Sequence, residues 1–263
     1  MKSAWRTENI SSLTVSVYIE TLDGYSASTI MLRLSAIKKI FDYLVTGRIL
    51  HINPASAVKR PKIKVRTGKT PVLNVGEVRE LLDSIREEKL IDVRDKTLIS
   101  LLVYSLARIG AVLNMKVEDY YLEGKRRWLR LLEKGGRHHE VPVHHKAEAV
   151  IDLYLEKAGI SSDLKGYLIR SVQSRRDDTL TDYPLDTKNA GLIVKKRALH
   201  AALDPRQVCN HTFRASGITA YLEAGGTLEK AAEIAAHASI DTTRLYDRRS
   251  RKIAIGEIER IGI

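Results

Sequence analysis

Residues 211–246 read HTFRASGITAYLEAGGTLEKAAEIAAHASIDTTRLY, and this stretch decides how the chain folds. On a helix, His211 and Arg214 are three positions apart and share a face. Ile218, Tyr221 and Leu222 supply the apolar side that anchors that helix from behind. Gly225-Gly226 ends it, and Thr227 is placed to cap the next helix, Leu228 to His237. Ala231, Ala232, Ile234 and Ala235 make this second helix slim and closely packable, with His237 as its last residue. Tyr246 comes after Ser239-Ile-Asp-Thr-Thr-Arg-Leu, and a strongly charged tail runs from Asp247 to Lys252. That setting predicts a phenol exposed enough to react. Singly, these pieces say little: an isolated His-x-x-Arg is commonly a solvent-side pair, and a tyrosine at a helix end is commonly a core or surface aromatic.

Upstream, Asn74 and Glu77 have the spacing of a capping box for a helix over Val75 to Arg86. Asp92 to Arg108 predicts a second amphipathic helix, with Leu98, Leu101, Leu102 and Leu106 on its apolar side. Arg108 would then close that helix against its dipole. Its small and apolar neighbours, Ala107, Ile109 and Gly110, predict partial burial, and a buried guanidinium requires an anion. No acid is close in the local sequence, the next being Glu118 and Asp119, so a phosphate is a candidate. Trp128 to Leu132 and Glu140 to Val143 alternate as strands, and Lys134-Gly135-Gly136-Arg137 between them fits a hairpin turn. Ala147 to Lys157 is helical in pattern, Asp177 to Asn189 reads as an irregular surface loop, and the chain from Leu192 on is again mostly helical.

The N-terminal part is also helical. Leu13, Val17 and Leu22 suggest one apolar stripe. Ser28 is a candidate N-cap for Thr29 to Leu44, with Gly47 as its stop and Asn53-Pro54 as a break beyond. Arg33, Lys38 and Lys39 fall on the polar side of this helix. The run Lys59 to Lys69, KRPKIKVRTGK, reads as an extended basic linker that is either a solvated tether or a DNA contact. The expected fold is therefore mainly α with a small antiparallel β-sheet (α+β), in two domains, 1–66 and 67–263.

Composition narrows the partners. The chain has 263 residues, 44 Lys and Arg against 32 Asp and Glu, and a formal net charge of +12. Such a balance favours polyanions. No apolar run reaches the roughly 18 residues of a membrane span, so no membrane partner is expected. The single cysteine, Cys209, leaves no intramolecular disulfide and fits a reducing cytosol. A cytoplasmic, nucleoid-associated protein is the expectation. His138-His139 and His144-His145 do not make a metal site in this reading: neighbours on a strand point to opposite faces, and no cysteine with zinc-ligand spacing is near. Arg170, Arg175, Arg176, Lys195, Lys196 and Arg197 default to a solvated face.

Two guanidiniums, two imidazoles and a phenol suffice to break a phosphodiester without a metal. The arginines neutralise the phosphate, the imidazoles move protons and the phenol attacks. At this point the sequence resembles a known family, the tyrosine recombinases or phage integrases. Leu106-Ala-Arg108-Ile-Gly resembles the family's first arginine box, Lys134 in the hairpin its catalytic lysine, and His211-Thr-Phe-Arg214 its second box. Ala236-His237-Ala-Ser-Ile-Asp-Thr-Thr-Arg-Leu-Tyr246 resembles the final box, including the spacing from histidine to tyrosine. The resemblance covers Pro71 to the C-terminus and extends less sharply into Ser26 to Lys64, which is similar to a DNA-clamping helical domain.

The resemblance implies roles. Arg108 and Arg214 would hold the scissile phosphate, and Tyr246 would attack it, leaving a 3′-phosphotyrosyl bond and a free 5′-hydroxyl. Lys134 would protonate the leaving oxygen, His211 would assist proton transfer and His237 would donate a hydrogen bond to the phosphate. The phosphotyrosyl bond keeps the energy of the broken linkage, so no ATP, metal or other cofactor is expected. The partner is double-stranded DNA carrying a specific recombination site. Its contacts are expected from Arg33, Lys38, Lys39, Lys59, Arg60, Lys62, Lys64, Arg66 and Arg137. Assembly into a tetramer on DNA would use the C-terminal segment, where Ile253, Ile255, Ile258 and Ile261 form an apolar strip for a neighbouring subunit.

Two features depart from the family pattern. Position 111 is Ala where members commonly carry an acid three residues after the first arginine. The N-terminal domain is expected to be short by two helices. These departures motivate an alternative, a catalytically lapsed DNA-binding relative acting as a competitor or regulator. A type IB topoisomerase-like strand relaxer is a third option. Integration, excision and dimer resolution of a mobile element or replicon share every catalytic residue.

Overall fold

The computed structural model describes residues 10–61, 70–133 and 135–248. The chain divides into two compact units, Met1–Arg66 and Thr67–Ile263.

The first unit is built on α1 (Ser12–Glu20) and α2 (Ala27–Thr46). Ser26, not Ser28, caps α2: its hydroxyl accepts from the Thr29 N–H at 3.2 Å and meets the Ser28 hydroxyl at 2.9 Å. Gly47 closes the helix as the sequence suggests. Of the expected stripe Leu22 is buried, but Leu13 and Val17 are 73% and 52% exposed. Helical spacing also links Val15 and Ile19, and these pack with Leu34, Phe41, Ala55 and Val58. Two apolar rows on one short helix leave periodicity unable to choose. The break after α2 is stitched down by Asn53, whose amide donates to the Lys38 carbonyl at 3.0 Å and to the Asp42 carboxylate at 2.7 Å.

In the second unit the central element is α4 (Leu90–Tyr104), in which eleven of fifteen residues are buried, too many for a helix with a solvent face. Around it pack α3 (Val75–Asp83), capped by the Asn74–Glu77 box, and α6 (His145–Ala158). No side chain of its own caps α4. The carboxylate of Asp178 does so from far along the chain, accepting from the N–H groups of Leu90 at 2.6 Å and Ile91 at 2.9 Å. Asp178 sits in the turn between β4 (Arg170–Ser174) and β5 (Thr179–Pro184), an antiparallel pair whose second strand falls where the sequence suggests a loop. These strands are mostly half-exposed and bulged, so they carry no apolar alternation to read. A three-stranded antiparallel meander completes the β content: β1 (Tyr120–Glu123), β2 (Arg126–Glu133) and β3 (Arg137–Pro142). Leu129, Leu131 and Val141 point into the core from this sheet.

The remaining helices are α5 (Ile109–Asn114), α7 (Thr187–His200), α8 (Asn210–Glu223), α9 (Leu228–Ile234) and α10 (Ile240–Arg244). Thr227 caps α9 as its sequence suggests, but the helix stops at Ile234, three residues before His237. Arg170 and Arg197 are not on a solvated face. They are 4% and 8% exposed, Arg170 paired with Asp163 and Asp182, and Arg197 with Asp92 and Asp95. Arg94, only 1% exposed, joins the same group through Asp95.

α8 passes close against α4 at Gly217. A Cβ there would overlap the Val103 carbonyl oxygen and lie 2.5 Å from a Leu106 methyl. Gly217→Ala is expected to destabilise the fold by about 1–3 kcal/mol through overpacking. Gly110→Ala, on α5 with nothing within 4 Å, should be neutral or stabilising by up to about 1 kcal/mol. Urea unfolding of the two variants checks the contrast.

Candidate active site

The site forms where α8 meets the ends of α4 and α9. α4 stops at Tyr104 because the chain turns through Leu106, which takes a left-handed φ of 54°. Arg108 therefore does not close α4. It is the N-cap residue of α5, and its guanidinium reaches across to β2 and pairs with Glu133. Expected burial is half met: the Arg108 side chain is 36% exposed, while that of Glu133 is 3% exposed. The anion sought by Arg108 is thus supplied in part by the chain itself, from a strand 25 residues away.

Arg214 lies on the inner face of α8 and is 1% exposed. It donates to the Leu106 carbonyl and, at 2.5 Å, to the Ala235 carbonyl. The latter precedes Ala236, which is also left-handed with φ 47°. The two bonds tie together the turns that deliver Arg108 and His237. Arg214 retains donors beyond these two bonds, and its buried Nε has no partner among the described residues.

His211 and Tyr246 meet directly, with the imidazole Nε2 2.6 Å from the phenol oxygen. The Tyr246 ring also faces that of His237, at 5.9 Å between centroids and 10° between planes. The Tyr246 carbonyl accepts from the Thr219 hydroxyl at 2.9 Å, which fastens the end of α10 to α8. His237 Nδ1 is 2.8 Å from the Thr243 hydroxyl. Tyr246 is not exposed as its charged neighbourhood suggests. It is 7% exposed, packed with Leu106, Ala215, Ile218, Leu222, Ala231 and Ala235. The charged tail begins directly after a residue that itself belongs to an apolar cluster.

Burial and two neighbouring guanidiniums set the protonation states. Burial lowers the pKa of His237 to about 4, helped by the positive charges of Arg214 and Arg108. His211 is lowered by the same causes. Both imidazoles are therefore neutral near pH 7, and a neutral His211 can accept the phenol proton. Burial pushes the Tyr246 phenol up, while Arg214 and Arg108 pull it back. Burial also brings Arg214 down to about 10, with the charge of Arg108 adding to the fall and Glu133 opposing it. Arg214 remains a cation at neutral pH, and two cations side by side favour an anion between them.

Five of the six expected catalytic residues converge here: Arg108, His211, Arg214, His237 and Tyr246. Lys134 lies outside the described residues, between Glu133 and the left-handed Gly135 and Gly136 (φ 88° and 77°). Of the expected DNA contacts, Arg33 stacks over the Tyr25 ring at 4.5 Å. Lys38 donates to the Ser56 and Val58 carbonyls at 3.2 and 3.0 Å, so it already serves the fold. Lys39, Lys59, Arg60 and Arg137 are exposed. Lys62, Lys64 and Arg66, like the strip from Ile253 to Ile261, lie outside the described residues. His144 stacks between Tyr104 and His145, and His139 bonds the Ile234 carbonyl at 3.0 Å. Among the described residues no three His, Cys, Asp or Glu side chains cluster as metal ligands, and no helix is long and apolar enough to cross a membrane.

Sequence reasoning missed Glu133, Thr219 and Thr243. Only Glu133 left a signal: it shares strand parity with Leu129 and Leu131, an acid where the alternation demands an inward residue.

Residues 71–252 match the phage integrase family. The chain belongs to that family. It is an enzyme of the tyrosine recombinase type. Among curated relatives, the tyrosine recombinase XerC of Escherichia coli O127:H6 is 27% identical over 226 residues, 85% of this chain and 70% of that protein. The fold is similar to that of XerH site-specific recombinase bound to palindromic difH substrate in a post-cleavage complex. The TM-score is 0.67 at 20% identity, covering 91% of this chain and 69% of that one. A lambda integrase tetramer bound to a Holliday junction is similar at a TM-score of 0.65 and 18% identity, covering 94% of this chain and 68% of that one.

The low folded-state pKa of His237 has a consequence for stability. Unfolded, this imidazole titrates near 6.5; folded, near 4. The unfolded chain therefore binds more protons between these values, so the contribution is present above about pH 6.5 and is lost as pH falls towards 4. Urea melts at intervals from about pH 7 down to about pH 4 should show a shallower fall in stability for His237→Gln than for the wild type. Parallel curves would contradict the assignment.

Proposed function

We propose that the chain cuts and rejoins DNA at a specific site through a covalent 3′-phosphotyrosine at Tyr246. The observation that carries this reading is the 2.6 Å contact between the Tyr246 phenol and a neutral His211, beside the cations Arg108 and Arg214. In the proposed step the phenol oxygen attacks phosphorus and its proton passes to His211. The bond from phosphorus to the 5′ oxygen breaks, and Lys134 supplies that oxygen with a proton. Arg108 and Arg214 balance the charge that builds on the non-bridging oxygens. His237, its Nδ1 turned to Thr243, has Nε2 left to donate to the same phosphate. Attack by a 5′-hydroxyl on the phosphotyrosine reverses the chemistry and reseals a strand, its own or a partner's.

The family and the basic charge support DNA as partner. Residues 1–66 are proposed to clamp DNA, with the Lys59 to Lys69 linker along the backbone. Assembly as a tetramer through the segment after Tyr246 is proposed on the likeness to a recombinase tetramer on a Holliday junction.

With a nicked duplex carrying the cognate site, the protein is expected to form an SDS-stable adduct that Tyr246→Phe abolishes. An adduct that persists in Tyr246→Phe, or none with any site-bearing DNA, would reject the reading. Neutralising Lys62, Lys64 and Arg66 together should weaken binding alike on cognate and unrelated DNA and reduce the salt slope by roughly 0.9 per lost phosphate contact. An unchanged slope would reduce the linker to a tether.

A further inference from the structure

Glu133 is the last residue of β2 and faces inward in the row that begins with Leu129 and Leu131. Its backbone is paired with Arg137 across the hairpin, yet its side chain turns away to Arg108. The other carboxylate oxygen, Oε1, is buried with no partner among the described residues. A buried acid with a half-used carboxylate is costly unless a cation holds it. The cation is Arg108, and nothing in the packing of the hydrophobic core calls for a charge at this place.

Position 111, one turn into α5 from Arg108, holds a buried alanine (4% exposed) where the resemblance to the family implies an acid. Its methyl offers Arg108 no partner. We infer that Glu133 is the positioning residue for Arg108, supplying from the end of β2 the carboxylate that this chain lacks on α5. The carboxylate fixes the guanidinium by one edge and leaves the other edge, on the exposed side, for a phosphate. It also offsets the repulsion between Arg108 and Arg214, which would otherwise push the two cations apart. Because Glu133 precedes Lys134 in the chain, the same contact ties the β2–β3 turn to the first arginine.

This inference rests on the strand-cleavage reading, and its test separates the two. Glu133→Gln keeps the shape and removes the charge. In single-turnover cleavage of pre-bound nicked DNA, its rate is expected to fall about 10–100-fold, with site affinity within about twofold and the melting temperature unchanged. Glu133→Asp, which keeps the charge, should recover part of the rate, and so should Ala111→Glu placed in the Glu133→Gln chain. Wild-type cleavage by Glu133→Gln would overturn the inference, as would a loss that only tracks the melting temperature. A second readout needs no cleavage: the guanidinium NMR signals of Arg108, assigned through Arg108→Lys, should broaden and shift in Glu133→Gln. Unchanged signals overturn the inference even if the wild-type protein forms no adduct, a result that would reject strand cleavage itself.

Discussion

The buried guanidinium of Arg214 is the contact on which the site depends. A cation 1% exposed is costly unless acceptors hold it. Here they meet two carbonyls, at Leu106 and Ala235. Each belongs to a turn containing a non-glycine residue in the left-handed region, Leu106 itself and Ala236. Such backbone costs on the order of 1–3 kcal/mol per residue, while hydrogen bonds to a charged group return about 1.5–3 kcal/mol each. The turns serve the site through the residues they deliver: Arg108 two positions after Leu106, and His237 one after Ala236. One side chain thus sets the position of two others.

The same cation shapes the electrostatics. Together with Arg108 and burial it keeps both imidazoles neutral and restrains the rise of the phenol pKa. A site with two cations, two neutral bases and a buried phenol has an unbalanced positive charge, met in part by the carboxylate of Glu133. An incoming phosphate would complete the balance.

Much of this is legible in the sequence because local rules and the family motif agree. The Asn74 and Thr227 caps, the stop at Gly47 and the β2–β3 hairpin come from residue type and spacing. So does the mainly α fold with small antiparallel sheets. The features that escape depend on distant partners. Asp178 caps a helix almost ninety residues earlier in the chain, and Arg197 is held by Asp92 and Asp95, acids that no local window brings near it. The placement of Arg108 escapes because the helical pattern from Asp92 onward carries no mark of the left-handed turn at Leu106. Tyr246 reads as exposed because its sequence neighbours are charged, while its spatial neighbours, from α8 and α9, are apolar.

The central claim is that a single chain brings phenol, imidazoles and guanidiniums to one phosphate. Complementation between two inactive variants tests it most directly. Tyr246→Phe retains the arginines, and Arg214→Lys retains the phenol. If each active site takes its tyrosine from its own chain, a mixture of the two on nicked site DNA forms no adduct above the level of either alone. Recovery of the adduct in the mixture, with the phenol supplied by the Arg214→Lys chain to a neighbour's phosphate, would contradict the account.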